Sequence, residues 1–95
     1  MKTWLTLLIV ASLCMAASVA SADYAAGVSF YKKQHYAECI RELRAYTEKT
    51  PDPRAYYLMG YASYKLRDFS GAREYFRKTY LLDPNFMPSS LEIRK

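Results

Sequence analysis

From Asp23 to Asn85 the sequence repeats itself with a shift of 33 residues. That shift carries Tyr24 onto Tyr57, Gly27 onto Gly60, Tyr31 onto Tyr64, Lys32 onto Lys65, Arg44 onto Arg77 and Pro51 onto Pro84. Tyr36 is answered by Phe69 and Cys39 by Ala72. A period of this length means one supersecondary unit made twice and stacked, because a single unit cannot bury its own apolar face.

The unit is helical. Apolar residues recur at three and four: Ala26, Phe30 and Tyr36, then Cys39, Ile40, Leu43 and Tyr46. Tyr56, Met59 and Ala62, then Phe69, Ala72, Phe76 and Leu82 do the same in the second copy. That spacing lines one face of a helix, and no alternating strand pattern is sustained anywhere. Pro51-Asp52-Pro53 and Asp83-Pro84-Asn85 interrupt the pattern, since proline cannot continue the hydrogen-bond ladder. The reading predicts an all-α fold of two antiparallel helical hairpins, a short α-solenoid. The helices run over roughly 23–34, 37–49, 53–66 and 69–82. A short capping helix should begin near Pro88, a residue suited to a first helical turn. Repeat one then covers about 23–52, repeat two about 53–86, and the cap about 87–95. Gly27 and Gly60 are placed where the helices of a hairpin cross, with Cys39 and Ala72 as the small residues on the facing helix. Phe30, Leu43, Tyr56, Met59 and Phe76 fill the space around the crossings. Asp68 is suited to cap the helix that follows it, and His35 stands at the matching position of the first turn.

Residues 1–22 differ from the rest. Lys2 is their single charge, Trp4 to Val10 opens an apolar run, and small residues close on Ala20-Ser21-Ala22. A charged tip, an apolar middle and an A-x-A ending form a secretory signal peptide, with cleavage expected between Ala22 and Asp23. Export to a bacterial periplasm follows. The alternative is a membrane anchor retained over residues 4–20, at the short limit of a spanning length; contact with a membrane is expected only in that case. Cleavage would remove Cys14 and leave Cys39 as the single cysteine, so packing and not a disulfide must hold the fold. The formal net charge of +5 is scattered along the chain, as on a solvated surface, and an exported protein has no occasion to meet nucleic acid.

The second copy reads Tyr56-x-x-Met59-Gly60-x-x-Ser63, then Ala72-x-x-x-Phe76, then Pro84, with Tyr64-Lys65-Leu66-Arg67-Asp68-Phe69 between and Leu82-Asp83-Pro84-Asn85 at the close. This resembles the tetratricopeptide repeat, W-x-x-L-G-x-x-Y, A-x-x-x-F, P, over a similar length. The first copy follows it less closely, as Asp23-x-x-Ala26-Gly27-x-x-Phe30, Cys39-x-x-x-Leu43 and Pro51. Asp23 stands where the family has a large aromatic residue, and the link between repeats is one residue short. The resemblance implies a protein-binding role, with partner contacts recurring on the first helix of each hairpin. Carried onto this sequence, those positions are Tyr24, Val28, Tyr31 and Lys32, then Arg54, Tyr57, Tyr61, Tyr64 and Lys65.

The residue inventory argues against catalysis. His35 is the single histidine and reads as a turn residue. Cys39 reads as a packed, inert thiol. No second histidine or cysteine offers a metal set, no glycine-rich loop cradles phosphate, and no cofactor is implied. What remains is a binding surface rich in tyrosine, which joins a flat apolar ring to a polar tip. Two functions stay open: an envelope adaptor or assembly factor that grips a segment of a protein or peptide partner, and a self-associating module whose partner is a further copy. Two repeats where about three are usual weigh towards the second.

Overall fold

The computed structural model describes residues 22–91. The expected signal peptide over 1–22 and the alternative anchor over 4–20 therefore lie outside the described residues, Ala22 excepted. Four α-helices follow in order: α1 (Tyr24–Lys32), α2 (Tyr36–Lys49), α3 (Pro53–Lys65) and α4 (Phe69–Leu82). They match the expected spans to within two residues, and the all-α double-hairpin architecture holds. A 3-10 turn, Pro88–Leu91, follows. It starts where the short capping helix was expected, as 3-10 rather than α-helix, and the rest of that expected cap, 92–95, lies outside the described residues.

The helix starts are set locally. Asp23 accepts from the Ala26 amide at 2.6 Å, and its own amide donates to Glu42 on α2 at 3.1 Å. Asp52 caps α3, whose first residue is Pro53, and Asp68 Oδ1 accepts from the Gly71 amide at 3.0 Å. Both hairpin turns are built alike. The amides of Lys33 and Leu66 donate to Ser29 and Ala62, and those of His35 and Asp68 reach back to Phe30 and Ser63. Gln34 and Arg67, one repeat apart, take φ of 65° and 67°. Left-handed backbone is where glycine would be unstrained, so the repeat of the turn survives without its usual residue.

The equivalence breaks at one point. His35 occupies the N-cap of α2 but makes no side-chain capping bond, whereas Asp68 does so at the start of α4. His35→Asp should therefore raise stability by about 1 kcal/mol, the ordinary value of a good cap, read as a higher midpoint in thermal or urea unfolding. An unchanged midpoint would mean that the α2 start is already satisfied.

Each hairpin packs its two helices together, and the most deeply buried cluster spans the junction between the hairpins. Cys39 and Leu43 of α2 meet Ala55, Leu58, Met59 and Ala62 of α3, all with 0% exposure. Around them pack the half-buried Tyr24, Val28, Phe30, Tyr31, Tyr36, Ile40, Tyr46, Tyr56 and Tyr75. The glycines stand at the crossings as expected, but their opposite numbers are large. A Cβ on Gly27 would overlap the Leu43 side chain, and one on Gly60 would come within 2.5 Å of Phe76 Cε1. The small Cys39 instead serves the junction with α3. Burial pushes the Cys39 thiol up to about 12, which keeps it protonated and unreactive. Phe86 and Leu91 are buried, Phe86 against Tyr57 and Tyr80, so the segment after α4 folds back onto the second hairpin.

Candidate partner-binding surface

Helices α1 and α3 lie side by side. The Arg54 guanidinium at the start of α3 sits 4.1 Å over the Tyr24 ring at the start of α1. Towards their other ends, Tyr31 lies close enough to Tyr61 to feel it electrostatically. The two helices thus run in the same sense, and one repeat's candidate residues adjoin the next one's.

The structure divides the nine candidates. Tyr24, Arg54 and Tyr57 are engaged within the chain. Asp52 receives three hydrogen bonds from Arg54: its amide at 3.0 Å, Nε at 3.1 Å and Nη2 at 2.7 Å. Tyr46 adds a fourth through its hydroxyl at 2.9 Å. Burial alone would raise the Asp52 carboxyl, but the bonds from Arg54 and Tyr46 outweigh it and hold it below the usual carboxylate range. Arg54, held by Asp52, lies across Tyr24, whose phenol is raised mainly by burial.

Tyr57 belongs to an aromatic cluster. Its ring centroid lies 5.3 Å from that of Tyr61, 5.0 Å from Phe76, 6.4 Å from Tyr80 and 5.1 Å from Phe86. Burial, with the neighbouring Tyr61 hydroxyl, pushes the Tyr57 phenol up to about 12. On the first hairpin the equivalent face is covered by α3. On the second, bulky rings and the returning Phe86 close it.

Val28 and Tyr31 are half-buried against the core, and Tyr31 leans edge-on against Tyr36 at 5.4 Å. Tyr61, Tyr64, Lys32 and Lys65 are exposed, with Tyr61 also edge-on to Tyr57 and Phe76 and Tyr64 edge-on to Phe69. Tyr61 is 38% and Tyr64 54% exposed, while Lys32 and Lys65 end α1 and α3, where cations meet the negative end of the helix dipole. Tyr61, Tyr64 and the edge of Tyr31 form an aromatic strip with a lysine at the end of each helix. Leu81, Leu82 and Met87 are open elsewhere, and beside this strip sequence reasoning did not foresee the exposure of Leu66, at 49%, and Phe69, at 44%. The repeat comparison was the available signal: they replace Lys33 and the half-buried Tyr36 of the first hairpin.

On the side of α2 and α4 there is a cavity of about 210 Å³ lined by Arg44, Thr47, Glu48, Tyr56, Met59, Tyr75 and Lys78, smaller than the usual small-molecule site. Arg44 donates to the Tyr75 hydroxyl across it at 3.2 Å. Among the described residues no three of His, Cys, Asp and Glu come together in a way that would hold a metal, and no helix is long and apolar enough to cross a membrane.

No curated protein and no solved structure matches the chain. Residues 53–86, which comprise the second hairpin and the linker up to Phe86, match the family model of the tetratricopeptide repeat, a kind of unit that generally serves protein–protein interaction.

Proposed function

We propose that the chain is a non-catalytic adaptor or assembly factor of the cell envelope, exported to the periplasm, that holds a segment of another protein along the α1/α3 face. The observation that carries this reading is the exposure of Tyr61 and Tyr64 on a helix whose other face is wholly buried. Aromatic side chains left open beside a rigid core have little conformational entropy to lose on binding and much area to bury. Tyr31, Tyr61 and Tyr64 would supply the contact, with Lys32 and Lys65 adding attraction for acidic groups at the partner's edge. Tyr24, Arg54 and Tyr57 would act behind them, setting the pitch of the two helices.

A photo-crosslinking residue placed at Tyr64 should trap a protein partner in the envelope of the producing cell. The same residue at Arg77, exposed on α4 and paired with Glu74, should trap little. The reverse outcome would move the partner to the α2/α4 side and overturn the assignment. A trapped species that is a further copy of the chain would favour the self-associating reading.

A further inference from the structure

Because α1 and α3 run in the same sense, the turns that follow them, 33–35 and 66–68, emerge at one edge of the stack. This edge carries Lys32, Lys33, Lys65 and Arg67, all exposed. The acids there are Glu38 and Asp68, the latter turned onto the Gly71 amide as a cap. The opposite edge, where the chain enters and leaves the hairpins, holds Asp23, Glu48, Asp52 and Asp83 beside Lys49 and Arg54. Among these groups the turn edge is net positive and the opposite edge net negative, while the other seven of the eleven described lysines and arginines lie away from the turns.

Among the cations of the turn edge stand two apolar side chains that the fold does not cover. Leu66 is the C-cap of α3 and Phe69 begins α4, and Arg67 between them lies 5.8 Å from the Phe69 ring. The left-handed backbone at Arg67 makes the turn tight, so Leu66 and Phe69 flank a tip rather than line a groove, with the Phe69 ring edge-on to Tyr64 at 5.4 Å. A tip is poorly shaped to hold an extended peptide, which needs walls. It is well shaped for a plane surface into which apolar side chains can dip while the surrounding cations meet anionic headgroups.

We propose that this turn edge docks on a bilayer containing anionic lipids, with Leu66 and Phe69 entering the headgroup region and Lys32, Lys33, Lys65 and Arg67 facing the lipid phosphates. The inference shares Lys32 and Lys65 with the partner reading, and Phe69 rests on the Tyr64 ring, but Lys33, Leu66 and Arg67 belong to it alone and it does not require residues 1–22 to remain attached. Attraction at this edge falls with salt because the cations are exposed.

The test uses the full chain carrying Leu66→Trp or, as a control at the opposite edge, Leu81→Trp, where the native leucine is 68% exposed. The emission of the unsubstituted chain, including Trp4, is subtracted. Vesicles of phosphatidylglycerol in phosphatidylcholine should shift Leu66→Trp emission to the blue, and phosphatidylcholine alone should not. High salt should reverse the shift, and Leu81→Trp should not respond. Adding Lys33→Glu and Arg67→Glu should weaken vesicle binding by roughly tenfold or more, the loss expected for two surface charges reversed. An unchanged Leu66→Trp spectrum, or an equal shift at Leu81→Trp, would overturn the proposal. So would an equal response to soluble polyglutamate, which would assign the cations to an acidic protein instead.

Discussion

Gly27→Ala should lower the melting temperature by roughly 10 °C, and Gly60→Ala by less than half of that. Both glycines lie at helix crossings, and in both an added methyl meets a side chain of the facing helix. What differs is the freedom of that neighbour. Leu43 has 0% exposure and belongs to the junction between the hairpins, so it has nowhere to go. Inserting a methyl against it costs on the order of 1–3 kcal/mol before any helix is lost. Phe76 is only partly buried and can swing outward. In a helix interior, alanine is also favoured over glycine by about 0.5–1 kcal/mol, which offsets much of the remaining cost at Gly60. Circular dichroism melts of the two variants decide it. A larger loss at Gly60 would mean that the tighter crossing is in the second hairpin.

Asp52→Ala should cost about 2–4 kcal/mol, combining the loss of an N-cap with the loss of charge-assisted hydrogen bonds. The released groups are not all buried: the Arg54 side chain is 47% exposed and can turn to water, which keeps the figure well below that of a fully buried pair. Asp52→Asn should cost less, about 1 kcal/mol, because an amide oxygen still caps the helix. Its carboxyl is held below its unfolded value, so its ionisation stabilises the fold above the unfolded value, near pH 4. That contribution is lost as the pH falls through the folded value. The native chain should therefore lose stability below about pH 4 more steeply than Asp52→Asn does. Parallel curves from urea unfolding across that range would show that Asp52 is not the group responsible.

The two predictions touch the same structural fact. The hairpins are held to each other at α2 and α3, through Leu43 on the apolar side and Asp52 at the linker.

The helices, the breaks between them and the repeat were legible in the sequence because their causes are local. Pro53 fixes the first turn of α3, Asp23, Asp52 and Asp68 satisfy open amides within three residues of themselves, and apolar spacing is a property of one helix at a time. The division of labour among the tyrosines was not legible. Tyr57, Tyr61 and Tyr64 share one helix and one spacing, yet Tyr57 is packed among Phe76, Tyr80 and Phe86 while Tyr64 is open. Whether a residue on such a stripe is covered depends on the rotation of its helix and on chain that returns from 20 or more residues away. Spacing carries neither. Likewise Arg54 reads as a free cation in the sequence and is a clamp in the fold, because the ring it covers, Tyr24, belongs to the other hairpin. Tertiary packing alone decided which of the repeated aromatic residues hold the hairpins together and which stay exposed.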